Sequence, residues 1–175
     1  MATEQRPERE GHASVATKTP SPLVVERITH QDVPAVCALY KKVWETEPTA
    51  LPAEIVKSWQ PSPLEFTSWM EGVTYFAARR DGRVIGVVGC ELDDGSCHLV
   101  DLAVDPEARR QGVASALLAT ALDWAKRSNA PQVWVDALAR FSAATALYAH
   151  LGFLECGLLH KHRWNEDVRL FERLL

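Results

Sequence analysis

The chain has no Cys-x-x-Cys pair, no apolar run long enough to cross a bilayer and no long basic cluster. Each absence excludes something. Its four cysteines, Cys37, Cys90, Cys97 and Cys156, lack the spacing of a zinc site, and no metal is expected. Without an apolar stretch of about 20 residues there is no membrane-spanning helix to expect. A net charge of −4 argues against electrostatic binding of nucleic acid. Residues Met1 to Pro22 contain no apolar core of a secretory leader, so the thiols are expected to be reduced and the protein cytoplasmic. Neither internal repeats nor low-complexity tracts interrupt the rest.

What is present is a chain of 175 residues with 47% hydrophobic side chains, enough for one cored domain. Residues 1–22 are polar and aperiodic and read as a disordered tail, with the domain at 23–175. Leu23–Ile28 reads as a strand. A helix follows, capped by Thr29 or Asp32, with Val33, Val36, Cys37, Tyr40, Val43 and Trp44 at helical spacing, until Pro48 and Pro52 break it. A second helix spans about Ala53–Met70, interrupted near Pro61 and Pro63. Strands are predicted at Val73–Arg79, Arg83–Leu92 and Cys97–Val104, joined by Asp81-Gly82 and Asp93-Asp94-Gly95-Ser96 turns. Then come a helix from about Gln111 to Arg127, a strand at Gln132–Ala137, a helix near Ser142–Leu151, and strands at Phe153–Leu159 and Arg163–Arg173.

The junction Val104-Asp105-Pro106-Glu107-Ala108-Arg109-Arg110-Gln111-Gly112-Val113-Ala114 carries the most chemical information. It joins an apolar strand to an apolar helix through a basic turn with one glycine. A helix start leaves backbone N–H groups without intrahelical partners and carries partial positive charge. Two arginines and a glycine beside it make a phosphate cradle. The turn lacks both the Gly-Lys-Ser/Thr ending of a nucleoside-triphosphate loop and the three glycines of a dinucleotide fingerprint.

Arg109-x-x-Gly112-x-Ala114 after Leu-Ala-Val-Asp-Pro resembles the coenzyme A signature of the GNAT superfamily of acyl-CoA-dependent N-acyltransferases. The later Ala143-Ala144-Thr145-Ala146-Leu147-Tyr148-Ala149-His150-Leu151-Gly152-Phe153 resembles the family's alanine-rich helix ending in Leu-Tyr-x-x-Leu-Gly-Phe. Both occur in the family's order, and Glu166–Glu172 resembles its last strand. The resemblance implies an α+β fold: a mainly antiparallel mixed sheet of six to seven strands, flanked by about four helices. It implies acetyl-CoA as cosubstrate and a primary amine, on a small molecule or a peptide, as acceptor. Acetyl would pass by direct attack in a ternary complex.

For the cofactor, the resemblance places pyrophosphate on the backbone of Arg110, Gln111, Gly112, Val113, Ala114 and Ser115. Arg109 and Arg110 supply countercharge. Pantetheine would pair with Leu102, Ala103 and Val104, where that strand parts from Gln132–Ala137. Tyr148 is the expected acid for the departing thiolate. For the base the candidates are His98, which stands where many members have glutamate, Glu91 on the preceding strand, and a water chain. Plain alternation puts His98, Val100, Leu102 and Val104 on one face and Asp101 on the other. Phe141 stands where the family often has asparagine and would cover the arm hydrophobically instead.

Of the six tryptophans, Trp44, Trp59, Trp69, Trp124, Trp134 and Trp164, packing is the expected role, with Trp59 and Trp69 the exceptions that reach an acceptor site. Glu45, Glu47, Glu54 and Glu65 form an acidic region of the early helices that would attract an amine. Two other readings stay open at this stage: a non-catalytic CoA-binding regulatory module on the same fold, and a nucleotide-binding domain. The sequence leaves the oligomeric state open, including a homodimer made by pairing sheet halves between subunits.

Overall fold

The computed structural model describes residues 21–46 and 51–175. Nearly all of the expected tail, together with Glu47 and Pro48, lies outside the described residues. The chain begins with strand β1 (Val24–Arg27) and a 3-10 turn (His30–Asp32) that leads into helix α1 (Val33–Thr46). The Asp32 carboxylate accepts from the Thr29 amide at 2.8 Å, closing the helix entry. The second helical region is two short helices, α2 (Ala53–Ser58) and α3 (Pro63–Trp69), because Pro61 and Pro63 restart the chain. Ser62 and Glu65 cap α3 reciprocally.

Strands β2 (Val73–Arg80), β3 (Arg83–Asp93) and β4 (Ser96–Val104) follow as an antiparallel meander. Helix α4 (Val113–Arg127) then crosses to β5 (Gln132–Leu138). After α5 (Ser142–His150), strands β6 (Leu154–Arg163) and β7 (Glu166–Leu174) form a hairpin. The sheet order is β1-β2-β3-β4-β5-β7-β6, and only β4 and β5 run parallel. The expected mixed, mainly antiparallel sheet is present with seven strands, and five α-helices flank it among the described residues. No helix among those residues is long and apolar enough to cross a membrane.

The last hairpin differs from its expected limits. β6 runs on to Arg163, and the turn is Trp164-Asn165, both with positive φ. That two-residue turn has the twist that joins antiparallel strands, and no Asn-Gly pair marked it in the sequence.

Two cores lie on opposite faces of the sheet. α4 packs Val113, Leu117, Leu118, Ala121, Leu122 and Ala125 onto Phe76, Val88, Cys97, Leu99, Val133 and Val135. These positions recur on one helical face, and each large apolar side chain so buried contributes about 2 kcal/mol. On the other face α1 and α3 pack Val36, Leu39, Tyr40, Val43 and Phe66 onto Tyr75, Ala77, Val87 and Ala103.

One residue too many in β4 breaks its alternation. Between the pairs Val87–Ala103 and Gly89–Val100, one residue of β3, Val88, faces two of β4, Asp101 and Leu102. Asp101, with φ of 56°, is the bulge. Leu102 and Val104 therefore pack with the α4 core, whereas Ala103 joins the α1 core. This corrects the alternation read from sequence: Leu102 and Val104 do not share a face with His98 and Val100. Opposite the bulge sits Gly89, where an added Cβ would lie 2.7 Å from both Tyr75 Cε1 and Val100 Cγ2. Gly89→Ala is expected to destabilise the fold by about 2 kcal/mol through overpacking, read as a lower Tm.

Candidate active site

β4 and β5 pair over only three residues, Cys97–Leu99 against Val133–Val135. Beyond them the strands part, leaving Val100–Leu102 and Asp136–Leu138 as the two banks of a cleft of about 590 Å³, with Ala103 and Val104 carrying β4 on past it. The parting was expected at this place, and the cofactor turn lies at the end of β4.

In that turn Pro106–Ala108 form a short 3-10 segment, Arg110 has φ of 61° and Gly112 has φ of 78°. Gly112 is the N-cap of α4, no side chain caps the helix there, and nothing lies within 4 Å of where its Cβ would be. The helix starts at Val113, two residues later than the sequence reading. The backbone of Val113, Ala114 and Ser115 thus forms an open first turn, because the first intrahelical bond runs from Ala116 to Gly112. The Val113 side chain is buried, so this residue offers a ligand its backbone only. Arg109 and Arg110 are exposed, and Arg109 Nε lies 3.4 Å from the Val104 carbonyl. Gln111 is exposed as well, and its side chain accepts from Arg80 and donates to the Glu107 carbonyl.

The loop is held from behind by Asp105, which sequence reading left without a role. Its carboxylate accepts from Lys42 Nζ at 2.9 Å and from the Glu107 amide at 3.0 Å. Burial pushes its pKa up, but the Lys42 ammonium and the amide outweigh burial and hold it below the usual carboxylate value. Folding lowers this pKa, so its stabilisation is complete above the unfolded value and fades as pH falls through the folded one. Asp105→Asn is expected to lower Tm by about 3 °C at pH 7, the gap closing below about pH 4. Thermal scans across pH read this directly.

Catalytic candidates meet in the cleft from both faces of the sheet. Tyr148 comes from α5 within the α4-side core, only 4% exposed, beside Phe153 and Phe171. Burial, helped by the Asp136 carboxylate, lifts its pKa well above the ordinary phenol value. The phenol is thereby kept as a proton donor. His98 comes from the opposite face and lines the same cleft. Its ring stacks flat on Trp134, with centres 3.5 Å apart. His98 Nε2 lies 3.0 Å from Asp136 Oδ1, and Nδ1 lies 3.7 Å from Glu91 Oε2. The His98 side chain is 13% exposed, so it is not a solvated residue near a turn.

Asp136 is the residue that the sequence reading passed over. It is clamped by His98 and by Arg163 Nη1 at 2.8 Å. Burial raises its pKa, yet His98 and Arg163 together bring it below the ordinary value. Its one sequence signal was an acid inside an apolar strand, two residues from Trp134, which the parallel register sets beside His98. Asp101 also lines the cleft. It accepts from Tyr75 Oη at 2.6 Å, and Tyr40 Oη donates to its carbonyl at 2.9 Å. Open to the cleft but hemmed in by its walls, its carboxyl is raised by desolvation, which the Tyr75 bond only partly offsets.

Trp59 and Trp69 line the cleft as expected. Trp44 and Trp164 line it too while also packing, Trp44 against the α1 core and Trp164 on Trp59, and Trp124 packs on Phe76. Phe141 caps α5 and lies over the cleft beside Trp44 and Trp59. Of the early-helix acids, Glu47 lies outside the described residues, Glu45 pairs with Lys41, Glu65 caps α3, and neither these two nor Glu54 lines the cleft. The acids that line it are Glu91, Asp101 and Asp136. All four cysteines are free thiols. Among the described residues no group of three or more His, Cys, Asp or Glu is placed to hold a metal ion.

A mixed sheet split at its one parallel pair thus leaves a bare strand edge beside an open helix start. Residues 33–153 match the acetyltransferase (GNAT) family, and the chain belongs to it. Among curated relatives, ribosomal protein bS18-alanine N-acetyltransferase of Escherichia coli (strain K12) is 35% identical over 94 residues, covering 54% of this chain and 64% of that protein. N-acetyltransferase 8B of Homo sapiens is 33% identical over 105 residues, covering 57% and 46%. The matched stretch thus spans less than two thirds of either relative.

Among solved structures, the PaiA N-acetyltransferase of Thermoplasma acidophilum in complex with coenzyme A aligns with a TM-score of 0.74 at 15% identity, covering 88% of this chain and 99% of that one. The ribosomal-protein-S18-alanine N-acetyltransferase of Escherichia coli gives 0.71 at 23%, covering 87% and 94%. At these identities the likeness is one of fold.

Proposed function

We propose that this chain transfers acetyl from acetyl-CoA to a primary amine by direct attack in a ternary complex. The observation that carries the reading is the cleft itself: one opening between β4 and β5 brings Tyr148 and the His98–Asp136 pair to a common space, with the open start of α4 at the end of the β4 bank.

The residues present fit the cosubstrate. The backbone of Val113–Ser115 and the bare Gly112 suit a diphosphate, with Arg109 and Arg110 as countercharge. The unpaired edge of Leu102–Val104 suits the amides of pantetheine. Phe141, where the family often has asparagine, offers the arm an apolar cover. His98, held by Asp136, takes the proton that the ammonium must lose. The amine nitrogen then bonds the thioester carbonyl carbon as the C–S bond breaks, Tyr148 donates its proton to the departing sulfur, and the proton the nitrogen still has to lose restores the phenol.

Calorimetry with acetyl-CoA, followed by thiol release with an amine panel, tests the reading. Binding plus amine-dependent thiol release is expected. Binding without turnover on any amine would leave the regulatory-module reading in its place, and stabilisation by ATP with none from CoA would favour the nucleotide-binding one. Removing both guanidinium groups, Arg109→Ala with Arg110→Ala, is expected to weaken acetyl-CoA about tenfold in the same calorimetry.

A further inference from the structure

The acceptor end of the cleft is walled by rings from four separate parts of the chain. Trp44 lies on α1, Trp59 just past α2, Phe141 at the start of α5 and Trp164 at the β6–β7 turn. Trp59 is the hub: its ring centre is 4.4 Å from Trp44, 6.3 Å from Phe141 and 5.1 Å from Trp164. Trp164 is an unusual choice for its place. Its φ is 52° and that of Asn165 is 62°, a pair of left-handed positions that favours asparagine and glycine. A bulky ring kept at a strained position, 42% exposed and lining a cleft, points to a contact the fold itself does not need.

Charge narrows the ligand. The acids lining the cleft are Glu91, Asp101 and Asp136; among its described lining residues Arg163 brings the one guanidinium and His98 the imidazole. Arg163 is already engaged by Asp136 at 2.8 Å. A carboxylate next to the amine would therefore face Asp101 and Glu91 with no uncommitted guanidinium or ammonium among the described lining residues. An ammonium is drawn to the same two groups.

Resting on the acetyl-transfer reading, we propose that the acceptor is a primary arylalkylamine: an amine on a short apolar tether to a flat ring, with no carboxylate beside the nitrogen. The ring lies among Trp44, Trp59, Phe141 and Trp164, in the offset and edge-on contacts that aromatic groups prefer. The ammonium sits by Asp101 and Glu91, within the space that His98 lines. The ammonium gives one proton to His98, and the resulting amine forms the N–C bond to acetyl as C–S breaks and Tyr148 protonates the sulfur. The second nitrogen proton restores the Tyr148 phenol, so that a neutral N-arylalkyl acetamide leaves alongside the free thiol.

Initial rates of thiol release at saturating acetyl-CoA test this with 2-phenylethylamine, tryptamine, tryptophan, propylamine, spermidine and an alanine-led peptide. Expected are kcat/KM values for the two arylalkylamines about tenfold or more above propylamine, and tryptamine about 100-fold above tryptophan. Trp164→Ala, at an exposed turn, should raise KM for 2-phenylethylamine about tenfold while leaving KM for propylamine unchanged. Trp59→Leu should move the same ratio in the same direction. Equal or better use of tryptophan, propylamine, spermidine or the peptide overturns this inference and leaves acetyl transfer standing. So does an unchanged KM for 2-phenylethylamine in both variants. Failure of every amine overturns the transferase reading as well.

Discussion

Tyr148→Phe is expected to lower kcat about 100-fold, roughly 2.7 kcal/mol of barrier, while the affinity for acetyl-CoA stays within about twofold. The asymmetry follows from where the phenol sits. Its ring is buried against Phe153 and Phe171, and phenylalanine fills the same space. Only the hydroxyl is lost, and its donated proton matters once the sulfur is leaving. Because burial and Asp136 lift the phenol's pKa, the wild-type donor is protonated throughout the neutral range. Pre-steady-state acetyl transfer beside calorimetry separates the two effects. An equal loss in kcat and in cofactor affinity would instead mark Tyr148 as a packing residue.

Asp136→Asn is expected to lower kcat/KM about 100-fold at pH 7, and adding it to His98→Ala to cost little more. The two side chains act as a unit, joined at 3.0 Å, with Arg163 holding the far oxygen of Asp136. Asparagine presents an amide where the ring and the guanidinium both need a charged acceptor, so the imidazole loses its fixed orientation. Non-additivity in the double variant is the sign to look for. Fully multiplicative losses would separate Asp136 from His98 and return the proton to Glu91 or to a water chain.

The sheet was legible because its signals are local. Asp81-Gly82 and Gly95 mark hairpins, and the buried face of α4 repeats with helical spacing. Tyr148 and the turn at Gly112 were legible through their motifs. What stayed hidden depends on register. A bulge at Asp101 adds one residue without any glycine or proline to announce it, and so reversed the expected faces for Leu102 and Val104. The partnership of His98 with Asp136 spans 38 residues and exists only because β4 and β5 are parallel neighbours. Arg163 gave no signal at all, since its role needed the hairpin to extend past Leu159. Likewise Trp44 and Trp164 are far apart in the chain, and only the folded sheet brings both to Trp59.

The two halves of the sheet are joined by a seam three rungs long. On one side stands the bend proposed to grip the donor; on the other hangs a hairpin whose tip lines the cleft proposed for the recipient. Such a narrow joint lets the tip be rewritten, by substitution or by a change in its length, without disturbing the grip. Variation in who receives the acetyl group can then accumulate at Trp164 and its neighbours while the donor stays the same.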